Sequence, residues 1–141
     1  MRYVVILFIF SFSLLSGTSS EKVEAKIIMS MLKSVINHAD LLIYTDSKKI
    51  HKTLLNNDIT FVKSCNKANI AILETDTSVT ECKNRPVITL RYDLLKTYSN
   101  SIGSFFWQKG RPNIVFIEAR LRDQNITIDS SFNDFIEDTI W

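Results

Sequence analysis

Few residues in this chain have the types and spacing to do chemistry: two cysteines, two histidines, a lysine cluster and an aromatic run that ends in cations. Cys65 and Cys82 are 17 positions apart. In an exported chain such a pair oxidises, and closing that loop is worth about 3 kcal/mol in the chain-entropy view. Two separate buried thiols are the alternative. His38 and His51 have no cysteine or carboxylate at metal-ligand spacing. His38 reads as a helix-end residue favoured by the helix dipole, and His51 as a partly exposed helical residue. Neither Gly-x-Ser-x-Gly nor His-Glu-x-x-His occurs. The sequence therefore assigns no catalytic residue, no metal ligand and no cofactor, and a non-enzymatic protein is expected. Lys48, Lys49 and Lys52 crowd the first turns of a short helix, against its dipole. They read as a solvated face, with a docked anion as the alternative. Phe105-Phe106-Trp107-Gln108-Lys109-Gly110-Arg111 is the most distinctive run. Its phenylalanines read as core, and Trp107, Lys109 and Arg111 as a partner-binding surface. A core strand running into a wet turn is the competing reading. Asn125-Ile126-Thr127 is a glycosylation sequon, a triplet that also arises by chance.

The elements that must position these residues belong to one domain. The chain has 141 residues, 45% hydrophobic and 23% charged, enough for a single core. A net charge of +2 gives no basic field of the kind nucleic-acid binding needs, so no nucleic-acid partner is expected. Three glycines are too few for a phosphate-cradling loop.

The first twenty residues read as an address. Met1-Arg2 is a positive start, residues 3–15 are an uncharged apolar run, and Ser16 to Ser20 are small or polar. This is the layout of a secretory signal peptide, with cleavage expected after Ser20. As a helix the apolar run spans about 20 Å, short of a bilayer core, which argues against a retained anchor. Thr18 stands where a lipoprotein would need cysteine. Removing residues 1–20 leaves 21–141 as the mature domain, which is expected in the periplasm.

Along that domain, Glu21 to Asn37 reads as an amphipathic helix. Ile27, Met31 and Val35 form one apolar row, Ile28, Leu32 and Ile36 a second, and Ser20 a cap. Leu41–Tyr44, Ile59–Val62, Asn69–Leu73 and Pro86–Leu90 read as strands. Ser47 caps a short helix carrying Ile50, Leu54 and Leu55. Asp93 to Tyr98 reads as another short helix. Ile102–Trp107 and Asn113–Ile117 form a hairpin around Lys109-Gly110-Arg111-Pro112. Glu118 to Arg122 reads as a helix with an i,i+4 ion pair. A final helix is expected from Ser130 or Ser131, with Ser131 and Asp134 as a capping box and Phe132, Phe135, Ile136 and Ile140 as its apolar face. Alternating strands and helices predict a single compact α/β domain with a mixed sheet flanked by helices.

From Cys65 to the C-terminus the order of pieces resembles the YfiR-like periplasmic proteins. The segments are Cys65, Asn69–Leu73, Pro86–Leu90, Ile102-Gly103-Ser104-Phe105-Phe106, the turn, Pro112–Ile117, and Glu118 to Ser131 with Ile128-Asp129-Ser130-Ser131 as the step before the last helix. The family's cysteine adjoins its strand, whereas four residues separate Cys65 from Ile70 here. The resemblance implies a regulator that binds the periplasmic part of a membrane-bound signalling protein such as a diguanylate cyclase, often as a homodimer, and that tunes cyclic-di-GMP without catalysis of its own. The other function weighed is a small periplasmic ligand-binding module associated with a transport system.

Overall fold

The computed structural model describes residues 16–37 and 40–140, with side chains from Ser20 onward. The expected signal peptide's charged and apolar parts, His38 and Trp141 lie outside the described residues.

Seven strands form one mixed sheet in the order β2-β1-β3-β4-β5-β6-β7. They are β1 (Leu42–Thr45), β2 (Thr60–Phe61), β3 (Ile70–Leu73), β4 (Val87–Thr89), β5 (Ser101–Gln108), β6 (Arg111–Ile117) and β7 (Ile136–Glu137). The first five run parallel, β6 returns antiparallel to β5, and β7 lies parallel to β6. The helices are α1 (Ser16–Val35), α2 (Lys48–Leu54), α3 (Leu94–Thr97) and α4 (Glu118–Asp123). The expected α/β domain with a mixed sheet and flanking helices is what forms. β3 and β4 are buried at every position because both faces of the sheet are covered there.

One face carries the aliphatic stripe of α1. Ile28, Met31, Leu32 and Val35 pack with Ile50 and Leu54 of α2 onto Ile43, Ile70, Ile72, Ile88, Phe105 and Phe116. The other face is covered differently. Ala71, Leu73 and Val87 meet Cys65, Cys82, Leu94 and Tyr98, so an irregular stretch and the four-residue α3 replace long helices. The β3–β4 connection, residues 74–86, contains no helix.

Several local expectations are corrected. α1 begins at Ser16 rather than Glu21, so Ser20 lies inside the helix and does not cap it; no proline between Ser16 and Glu21 interrupts the helix. Leu55 follows α2 and is 57% exposed, outside the core. The hairpin turn is only Lys109-Gly110, both at positive φ (51° and 72°), the type I′ signature that matches strand twist. Arg111 and Pro112 belong to β6, with Arg111 opposite Gln108 and Pro112 opposite Trp107. Proline is tolerated there because β7 pairs with β6 only at Phe116 and Ile117.

The last helix is not an α-helix. Ser130–Phe135 is a 3₁₀ turn capped by Asp129, whose carboxylate accepts from the Ser131 amide at 2.9 Å, so the Ser131–Asp134 box is unused. That bond, with a second from the Ser131 hydroxyl, holds the Asp129 carboxyl below its ordinary range. Phe132 reaches the core edge-on to Phe116. The chain then straightens so that Ile136 and Glu137 pair with the open edge of β6, satisfying backbone groups that a continuing helix would leave unpaired. Phe135 stays 40% exposed.

Candidate functional site

Cys65 and Cys82 are disulfide-bonded, with Cα atoms 5.3 Å apart. Cys65 opens a 3₁₀ turn before β3, Cys82 sits in the β3–β4 connection, and both are fully buried. The bridge is structural cover for the second face of the sheet. No helix among the described residues is long and apolar enough to cross a membrane.

The residues expected to bind a partner lie at the end of the β5–β6 hairpin. Trp107, Lys109 and Arg111 are all exposed there, Trp107 at 38%. They share one end but not one face. Strand alternation puts Trp107 on the side of Phe105, whose ring it meets edge-on at 6.0 Å. Arg111, opposite Gln108, shares the other side with Phe106 and Asn113. The phenylalanines divide as well: Phe105 is buried against α1's side of the sheet, while Phe106 packs with Tyr92, Leu95, Val115 and Ile117. Any partner touching both Trp107 and Arg111 must straddle the tip. Behind it, Gly103 lies opposite Phe116. A Cβ there would collide with the Val115 carbonyl oxygen, which is why glycine occupies this position.

The carboxyl ends of β1 and β3, on either side of the point where the strand order reverses, are where doubly wound sheets hold ligands. Here the Asp46 carboxylate bridges them. It accepts from the Glu74 amide at 2.7 Å, the Thr75 amide at 3.1 Å and the Thr75 hydroxyl at 2.6 Å. A carboxylate in that position saturates donors that a ligand would otherwise use. Among the described residues no group of three or more histidine, cysteine or acidic side chains could hold a metal. His51 is exposed and stacks on Phe61 with ring centroids 4.2 Å apart.

Sequence reasoning missed Arg120. The expected Glu118–Arg122 ion pair is absent among the described residues, where Lys49–Glu24 and Arg91–Asp93 are the pairs formed. Arg120 instead reaches under α3. Its Nη1 donates to the carbonyls of Leu95 (2.6 Å), Tyr98 (3.0 Å) and Ser101 (3.1 Å) and to the Ser101 hydroxyl (2.6 Å). Burial of the charge lowers its pKa from the ordinary arginine value. Gln124 donates to the Asn100 carbonyl, and Asn100 donates to the carbonyls of Cys82 and Arg85. The disulfide stretch is thereby tied to α4. No local periodicity marks this role; the only signal is an arginine one helical turn from an apolar strand.

Sequence reasoning also left Lys48, Lys49 and Lys52 as a solvated face. They form one wall of a groove whose other wall is α1, with Lys22, Lys26 and Lys33. Asn125, the sequon residue, is exposed at the end of α4 with φ 55°, a left-handed conformation asparagine tolerates. No family model matches the sequence, and no curated protein matches it.

Proposed function

We propose that this protein acts by binding: it is a non-enzymatic periplasmic regulator that engages the periplasmic part of a membrane signalling protein, such as a diguanylate cyclase, through the end of the β5–β6 hairpin. The observation that carries this reading is Trp107. A large aromatic, 38% exposed, shares the end of the hairpin with two cations and is anchored by buried Phe105. Aromatic and arginine side chains on rigid supports are the usual anchors of protein interfaces. The disulfide favours an oxidising compartment, and the YfiR-like order of segments from Cys65 onward gives the class of partner.

The test is in-cell crosslinking of the tagged protein, followed by mass spectrometry of what it captures. Capture of an inner-membrane cyclase or kinase, lost in Trp107→Ala or Arg111→Ala while both variants keep the parent melting temperature, is the expected result. Capture of transporter subunits, or capture unchanged in both variants, overturns it. Unfolding of either variant would make the hairpin end structural.

A further inference from the structure

We infer that the groove between α1 and α2 is a docking site for an extended acidic peptide segment of a partner protein. The inference stands independently of what the hairpin end binds.

Six of the chain's eleven lysines line this groove: Lys22, Lys26 and Lys33 from α1, and Lys48, Lys49 and Lys52 from α2. They gather there because of packing. In α1 the core residues Ile28, Leu32 and Val35 hold one face against the sheet, and the lysines recur with the same helical period on the flank turned to α2. Ile50 and Leu54 hold α2 down in the same cluster and leave Lys48, Lys49 and Lys52 facing the gap. One acidic residue, Glu21, is among the lining residues. Glu24, nearly buried, lies 3.5 Å from Lys49. The other five amines form no ion pair among the described residues. A near-neutral protein thus concentrates positive charge in one concavity, where low-dielectric walls focus the field.

Shape and chemistry select the occupant. The open groove has a volume of about 1120 Å³, more than a lone ion needs and above the usual range of small-molecule sites. Lys22 and Lys26 are four residues apart, about 6 Å along the helix axis. Alternate side chains of an extended peptide lie on the same side about 6.7 Å apart, and successive ones point to opposite sides. An acidic strand laid in the groove would therefore present carboxylates to both lysine walls in near register. Ser30, Thr53, Asn56 and Asn57 line the same space and offer hydrogen bonds to its backbone. Among the described residues no arginine lines the groove to grip phosphate in two-pronged fashion, and no aromatic offers a base a stacking surface. A concave cleft also suits a chain better than a flat bilayer.

The test is fluorescence anisotropy with a labelled oligoglutamate peptide about eight residues long, at low and at physiological salt. Saturable binding that weakens with salt is expected. Lys26→Gln with Lys52→Gln, one from each wall, should weaken it about tenfold, whereas the exposed pair Lys67→Gln with Lys96→Gln elsewhere should leave it within about twofold. All four lysines are exposed, so melting temperatures should match the parent. Equal loss in both double variants, or no binding at low salt, overturns the site. Competition by inorganic phosphate at equal charge concentration, or binding to phosphatidylglycerol vesicles without binding to the peptide, overturns the peptide as its occupant.

Discussion

The two faces of the sheet are closed by different means. On the α1 side, regularly spaced aliphatic residues on long and short helices meet the strands, and apolar burial provides most of the cohesion. On the other side a helix-free connection crosses from β3 to β4, and a disulfide with a ladder of side-chain hydrogen bonds stands in for a helical stripe. Tyr98 shows the difference. Fully buried, it donates from its hydroxyl to the Thr75 carbonyl at 2.6 Å and accepts from the Ser78 amide at 3.3 Å. An irregular segment cannot satisfy its own backbone groups, so side chains from elsewhere must do it.

The sharpest way to break the comparison is on the helical face. Leu32→Ala removes a fully buried side chain from the main cluster and should cost about 3–5 kcal/mol in urea unfolding, whether or not the disulfide is reduced. Replacing both Cys65 and Cys82 by alanine should cost about 3 kcal/mol. Hydrogen exchange should then localise the loosening to Ala71, Leu73 and Val87, with α1 still protected; uniform loss across both faces would show that the bridge is not local cover. Smaller again, Tyr98→Phe leaves the Thr75 carbonyl and the Ser78 amide without this partner and should cost about 1–3 kcal/mol. Burial raises the pKa of Tyr98 above 10.0, so its neutral form is favoured in the folded state. The stability this contributes is complete below pH 10.0 and is lost as pH rises through the higher folded value. The Phe variant should lack that alkaline step in its melting temperature.

Much of the architecture was legible along the chain. Helix and strand periodicity located α1, α2 and strands β1 to β6, since each is a local consequence of where apolar residues recur. The hairpin was visible in its turn residues, although its tightness was not: positive φ at Lys109 let the strands continue through Arg111. The final segment was misread as helix because Phe132 and Ile136 are four apart, a spacing that also lets Phe132 reach the core and Ile136 pair with β6. Trp107, Lys109 and Arg111 lie at one exposed end of the hairpin, and the face each takes depends on register.

By itself the sequence determined the class of fold, the order of elements up to α4 and the identity of the two residues that could be bridged. Each of these follows from local periodicity or from the small number of cysteines. Tertiary structure alone decided that a half-buried Arg120 would bind the carbonyls of α3 and β5 rather than pair with a neighbour. It alone decided that Asp46 would bridge two strand ends, and that two separate lysine clusters would face each other across one groove. These arrangements join residues tens of positions apart. Their relative placement is set by how apolar faces pack, and no spacing along the chain encodes it.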